Sequence, residues 1–284
     1  MGDSTAELTG RVLVLVAHAD DESVCYGALM QRMRGPVVVI ATDGAPRDEY
    51  FWGRFGSREA YRAVRRDEAR RAMRLAGVRE LLLLPEEDSR LEDQRLFLNL
   101  AAAYERLERL VDWVRPDAIA TLAYEGGHPD HDSCSLLGAR LGRQFGVPVW
   151  EAPVYSRVYE QGLVDAGASA DPTQANDGHE LMGHRETSNR KPRVQQFICE
   201  TGDEVTIQIG ERELEVKLAM CKQYASQGDF LKTFDVRREL VRPQVKYDYA
   251  QPPHEGRANY EQWQWWMTAR EVCAKFKEFL ESEI

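Results

Sequence analysis

Five short apolar runs, at residues 12–16, 37–41, 81–84, 118–122 and 147–150, punctuate the first half of the chain. Each is nearly continuous rather than alternating, the pattern of a strand covered on both faces. Amphipathic windows near 23–34, 58–76, 95–114 and 132–145 separate them. In the third window Leu96, Leu100, Ala103, Leu107, Leu110 and Val114 recur at a 4-3-4-3-4 spacing, which lines one helical face. Strand and helix alternating in this way predict right-handed crossovers. The fold class is therefore α/β, a doubly wound, mostly parallel sheet with helices on both faces.

Beyond residue 150 the pattern changes. Residues 160–193 are polar, small and rich in Gly, Asp and Asn, and read as a long loop or lid. Residues 194–210 resemble a hairpin turning at 201–203, residues 211–226 a helix, and the tail from about Tyr260 a Trp-rich helix. The simplest division is one α/β domain over residues 1–230 with a C-terminal extension, 231–284, packed on it.

Composition narrows the partners. The chain has 284 residues, with 37 Lys+Arg against 47 Asp+Glu and a net charge of −10. That balance argues against a nucleic-acid partner, because phosphate contacts need clustered Lys and Arg. The N-terminal apolar run at 12–17 is too short for a membrane span and lacks the basic start of a secretory signal. Five cysteines, Cys25, Cys134, Cys199, Cys221 and Cys273, are scattered with no CxxC pair. An unclustered odd set implies reduced thiols and a cytoplasmic location.

In an open parallel sheet, ligands bind beyond the carboxyl ends of the strands. The first run ends in Ala17-His18-Ala19-Asp20-Asp21-Glu22, and the fourth leads into Gly127-His128-Pro129-Asp130-His131-Asp132. One Asp-Asp-Glu ahead of a helix is commonly a cap with acids suited to the helix dipole. Both loops at strand ends of one sheet point instead to a metal centre. A hydrolytic zinc takes three His or carboxylate ligands and keeps one position open for water. His18 and Asp21, three residues apart on a strand-to-helix turn, can face one point, and His131 can supply the third ligand. Asp20 is then placed to act as general base. His128 can donate to a developing oxyanion, and Asp130 can hold a ring N–H of a ligand histidine. Glu22 keeps the capping role.

His18-Ala19-Asp20-Asp21-Glu22 and His128-Pro129-Asp130-His131 resemble the two signature motifs of the LmbE/PIG-L family of zinc-dependent N-acetylglucosaminide deacetylases. The resemblance, over about residues 11–230, implies a Rossmann-like fold. It implies a hydrolase that removes an acyl group, normally acetyl, from an N-acyl amino sugar or similar amine conjugate. His18, Asp21 and His131 would bind Zn2+, with Fe2+ also suited to two His and one Asp. Asp20 would be the base and His128 the group stabilising the tetrahedral intermediate. Arg65-x-x-Glu68 resembles the family's Arg/Glu helix, whose arginine contacts the sugar, and Asp88 its acceptor for a sugar hydroxyl. Lys217 through Tyr224-Ala225-Ser226-Gln227 resembles its closing helix. Two positions depart from the pattern. Ala19 replaces the motif's proline, which frees φ at the turn but removes no ligand, and Tyr224 replaces a frequent histidine, so no role follows for it.

Two other readings use the same residues. One is a two-metal phosphoesterase in which Asp130-His131-Asp132 and Asp20-Asp21 bridge paired ions about 3.5–4 Å apart. The other is a non-catalytic ligand-binding module whose His/Asp loops are caps. His179 and His184 are five residues apart and diverge by about 140° on a helix, so they form no zincin motif. His254 reads as a turn residue. Tyr260, Trp263, Trp265, Trp266 and Met267 read as core or as a homo-oligomer interface in preference to a surface for sugar stacking. Tyr50, Phe51, Trp52 and Phe55, in the loop at 43–57, suit core packing and a pocket wall equally.

Overall fold

The computed structural model describes residues 5–155 and 194–282. The expected lid at 160–193, with His179 and His184, lies outside the described residues. Among the described residues there are seven strands: β1 (Val12–Val16), β2 (Val37–Ile40), β3 (Glu80–Leu83), β4 (Ala118–Leu122), β5 (Val149–Ala152), β6 (Val205–Thr206) and β7 (Leu240–Pro243). They form one sheet in the order β3-β2-β1-β4-β5-β7-β6. The helices are α1 (Asp21–Tyr26), α2 (Arg58–Leu75), α3 (Leu100–Val114), α4 (Pro129–Phe145), α5 (Glu211–Cys221), α6 (Gly228–Leu231), α7 (Asn259–Gln262) and α8 (Ala269–Glu281).

Strands β1 to β5 pair in parallel, with Leu13 opposite Val37 and Val12 opposite Ala118. Every residue of β1, β2 and β4 is buried, as their unbroken apolar runs require. The chain steps outward from β1 to β2 and β3, then returns to β4 on the other side of β1. With right-handed crossovers, that reversal sends α1 and α2 to one face and α3 and α4 to the other. Accordingly α1 and α2 pack with α5, while α3 and α4 pack with each other and with α8. No helix among the described residues is long and apolar enough to cross a membrane. All five cysteines are unpaired.

The departures from the expected elements have local causes. Strand β5 begins at Val149 rather than 147, because Gly146 at φ 66° ends α4 and Val147 N–H still closes on Gly142 O. The window at 23–34 breaks after Tyr26, where the Glu239 carboxylate accepts the N–H groups of Ala28 and Leu29 at 2.6 and 3.0 Å. The expected hairpin does not form. The turn at 201–203 exists, folded around the Glu204 carboxylate, but β6 pairs with β7, some 35 residues away along the chain. The tail breaks at Trp263–Gln264, with Gln264 at φ 57°, before α8 starts on a Thr268–Glu271 capping box.

The extension beyond residue 230 completes the sheet as well as packing on it. Strand β7 runs antiparallel to β5, and buried Arg242 donates to Glu151 at 2.8 Å across the pair. Another buried ion pair fixes α5: Lys217 Nζ lies 2.7 Å from Glu239 Oε1 and donates to Val24 O at 2.8 Å. Both side chains are fully buried, so removing one partner strands a charge. Lys217→Met is expected to cost about 3–5 kcal/mol, read by urea denaturation.

Candidate active site

Strands β1 and β4 are neighbours, and between them the strand order reverses, so the loops that follow them meet over one crevice. His18 follows β1 and Asp20 stands at the start of α1 with φ 130°. A non-glycine residue there is strained by about 1–3 kcal/mol and must be held by its surroundings. Glu22 supplies the hold. Its Oε2 accepts Asp20 N–H at 3.0 Å, and its Oε1 accepts the hydroxyls of Ser23 and Tyr224. Tyr224 is therefore the remote anchor of the Asp20 turn, a role for which the sequence carries no signal. Glu22 keeps the capping part expected of it, in the reciprocal sense of returning to the backbone N–H.

His128 is the N-cap of α4, its Nδ1 accepting Asp130 N–H at 3.2 Å, and Pro129 fills the first helical position. His131 lies one turn in. The structure brings together the three residues expected as ligands. His18 Nδ1 is 3.1 Å from His131 Nε2, His131 Nε2 is 3.4 Å from Asp21 Oδ2, and Asp21 Oδ2 is 3.6 Å from His18 Nδ1. Ligands of a tetrahedral zinc at about 2.0–2.1 Å are about 3.3–3.4 Å from one another, so this triangle fits one divalent ion. Burial, with His18 and His128 adding to it, holds the His131 imidazole well below its usual range, whereas at His18 burial is outweighed by Asp93, Asp130 and Asp21, which hold that imidazole well above it. Burial pushes the Asp21 carboxyl up to about 8, against the pull of His18.

Asp130 sits behind His18. Its Oδ2 is 3.3 Å from His18 Nε2, and its two oxygens accept Gln94 N–H at 2.6 Å and Leu96 N–H at 2.9 Å. Asp93 is a site residue that the sequence reading missed. Its buried Oδ1, with no close hydrogen bond, lies 3.4 Å from His18 Nε2 and 3.5 Å from His128 Nε2. His18, Asp93, His128 and Asp130 thus form a second cluster of potential ligands. Proton placement argues against a metal there. An imidazole that accepts or ligates at Nδ1 carries its proton on Nε2, and in both His18 and His128 it is Nε2 that faces Asp93. Asp132 Oδ1 accepts Glu125 and Gly126 N–H at 3.0 and 3.1 Å, its buried Oδ2 makes no hydrogen bond, and among the described residues it joins neither group of potential metal ligands. The carboxylate pair needed by the two-metal reading is not assembled.

A cavity opens over this cluster, lined by His18, Asp20, Arg65, Asp93, Gln94, His128 and several aromatic residues. Arg65, buried on α2, places Nη1 3.4 Å from Asp20 Oδ2. Burial raises the Asp20 carboxyl, with Arg65 and His18 opposing. Gly44, at φ 59°, lets the loop after β2 close on this arginine, since a Cβ there would stand 2.9 Å from Arg65 Nε. Glu68 accepts from Ser226, through the backbone N–H at 2.8 Å and the hydroxyl at 2.6 Å, so the Arg/Glu helix and the closing segment are joined. Asp88 is elsewhere. Its carboxylate is taken by Arg90 at 2.7 Å and Arg106 at 3.1 Å, and it does not line the cavity. The carboxylate that its loop delivers is Asp93. From the loop at 43–57 only Phe51 among the four aromatics lines the cavity, whereas Tyr50 is exposed and Phe55 packs on Tyr61. Trp263 and Trp265, expected as core or interface, also line it. His254 turns its Nδ1 to Glu255 O at 3.0 Å, outside the lining.

A doubly wound α/β protein with a His/Asp centre at its switch point is thereby defined, and comparison with known proteins places it. Residues 13–141 match the family described as PIG-L: GlcNAc-PI de-N-acetylase. The matched segment holds β1 to α4 and both His/Asp motifs. A protein of Bacillus cereus named probable N-acetyl-alpha-D-glucosaminyl L-malate deacetylase 2 is 26% identical over 182 residues, 62% of this chain and 80% of that protein. Among solved structures, a triple mutant of the deacetylase of the teicoplanin biosynthetic pathway superposes with a TM-score of 0.59 at 18% identity, over 84% of this chain and 99% of its own. The A40926 pseudoaglycone deacetylase gives 0.54 at 20% identity, over 84% and 98%. At these identities the structural likeness is one of fold.

The triangle predicts that the protein takes up about one equivalent of zinc on equilibrium dialysis. His131→Ala should weaken zinc binding by at least about 100-fold, while Asp93→Asn should still bind one equivalent. Two equivalents in the unaltered protein would restore the two-metal reading.

Proposed function

We propose that the protein is a metal-dependent amide hydrolase that removes the acyl group of an N-acyl amino sugar or similar amine conjugate, with the acetyl amide as reference substrate. The observation that carries this reading is the donor triangle of His18, Asp21 and His131, with Asp20 and His128 beside it in one cavity. The family match and the names of the relatives support the same chemistry.

A divalent ion on that triangle, zinc or ferrous iron, supplies a Lewis acid for the amide carbonyl and lowers the pKa of water. Asp20 takes a proton from the attacking water as the oxygen–carbon bond forms. Arg65 keeps that carboxylate oriented and favours its charged form. His128 accepts a backbone N–H at Nδ1, so its proton is on Nε2, which lies 3.5 Å from Asp93 Oδ1 without a close hydrogen bond and can donate to the oxyanion of the tetrahedral intermediate. A neutral donor suits the site: burial, with His18 beside it, lowers the His128 imidazole. As the C–N bond breaks, Asp20 returns the proton to the departing nitrogen. Arg65, Asp93 and Gln94 offer the charged and amide groups that a sugar's hydroxyls need, and Asp93 takes the part expected of Asp88.

Asp20→Asn should retain metal and lower kcat by about 10²- to 10⁴-fold in an amine-release assay; a near-unaltered rate would remove Asp20 as the base. Tyr224→Phe leaves every cavity-lining group in place but frees Glu22. It should lower kcat by about tenfold with little effect on KM or metal content, because a small misplacement of a reacting group is costly. Steady-state kinetics with metal analysis of the same preparation reads both effects.

A further inference from the structure

The cavity has two unlike walls, divided where the strand order reverses. Arg65, Asp93 and Gln94 come from the β2 and β3 side, together with Phe51 and Tyr61. Tyr155 comes from the β5 end, Phe230 from α6, and Trp263 and Trp265 from the extension; the one amide that lines the cavity near them, Gln227, donates to the Tyr61 hydroxyl at 2.6 Å on the opposite wall. The rings of Tyr155, Phe230, Trp263 and Trp265 form an arc. Tyr155 lies 4.9 Å from His131, Trp263 is 6.1 Å from Tyr155 and 5.0 Å from Trp265, and Trp265 meets His128 edge-on at 4.9 Å. The arc thus runs between a proposed metal ligand and the proposed oxyanion donor, beside the position of the reacting carbonyl. All four residues are only half-buried, whereas Tyr26, Tyr104, Tyr224 and Tyr260 are sealed in the core. Contiguous apolar surface left open inside a cavity is binding surface.

An amide carbonyl carries two substituents. A sugar on the nitrogen calls for hydrogen-bond partners, which the Arg65–Asp93–Gln94 wall provides. The acyl substituent has none to satisfy and calls for an apolar wall, yet a methyl group would cover little of four aromatic rings. Resting on the amide-hydrolase reading above, we propose that the arc is the acyl site and that this enzyme favours N-acyl groups larger than acetyl, of the alkanoyl or arylacetyl class. Tyr155, Trp263 and Trp265 are then its specificity-determining residues.

The test uses the zinc-loaded 284-residue chain and glucosamine carrying acetyl, butanoyl, hexanoyl or phenylacetyl on nitrogen, with amine release as the readout. Each methylene moved from water into apolar contact is worth about fourfold, so with a partly open arc kcat/KM should rise about tenfold or more from acetyl to hexanoyl. In Trp263→Ala and in the milder Trp265→Leu the hexanoyl-to-acetyl ratio should fall towards one. Hexanoate should quench tryptophan fluorescence in the unaltered protein and do so more weakly in both variants. A ratio that is flat or falls with chain length overturns the proposal, as do variants that lower all four substrates equally, which would give the arc to the sugar or to packing. Release of no amine from any of the four, with zinc bound, overturns the hydrolase reading itself.

Discussion

Asp20, Asp21, Asp93 and Asp130 are buried together with His18, His128 and His131 at the ends of β1 and β4, and burying that much charge is the constraint to which the rest of the structure responds. A buried carboxylate is costly unless it is paired or hydrogen-bonded. Asp130 meets the cost with two backbone N–H groups, Asp21 with His18 N–H, Asp20 with the Arg65 guanidinium, and Asp93 with two imidazole edges. The remaining excess of negative charge, which burial expresses as raised Asp20 and Asp21 carboxyls, is the kind that a bound dication offsets. A net charge of −10 is therefore partly a property of this crevice as well as of the surface.

Much of the remaining architecture holds these groups still. The reversal of strand order brings the two His/Asp loops side by side. The strained Asp20 backbone is fastened by Glu22, and Glu22 by Tyr224 some 200 residues later. Lys217 and Glu239 tie α5, which leads to Tyr224, against the breakpoint after α1. The extension adds a strand to the sheet and two tryptophans to the cavity. The geometry of the His/Asp cluster at the β1 end thus depends on packing contributed by the last third of the chain.

The sequence was informative where one element carries its own signal. Continuous apolar runs located β1 to β4 within a residue or so, and the amphipathic stripe located α3. Polar residues crowded onto two strand ends located the triangle, because strand ends of a parallel sheet must converge on its carboxyl edge. The misses share one cause, dependence on partners remote in sequence. β6 pairs with β7 rather than with its own neighbours, and Asp88 and Asp93 are equivalent on paper until Arg90 and Arg106 claim the first. Trp263 and Trp265 carry the composition of an interface, and only the break at Gln264 turns them into the cavity.

By itself, then, the sequence determined the fold class and which histidines and aspartates meet at the carboxyl edge of the sheet, since those follow from local periodicity and from the place of strand ends in a parallel sheet. Only the tertiary structure decided which nitrogen of each histidine faces which carboxylate, that Tyr224 fastens the Asp20 turn through Glu22, and that one wall of the cavity is mostly aromatic. Each of those depends on the angle and distance between elements far apart in the chain, which packing sets and local pattern does not encode.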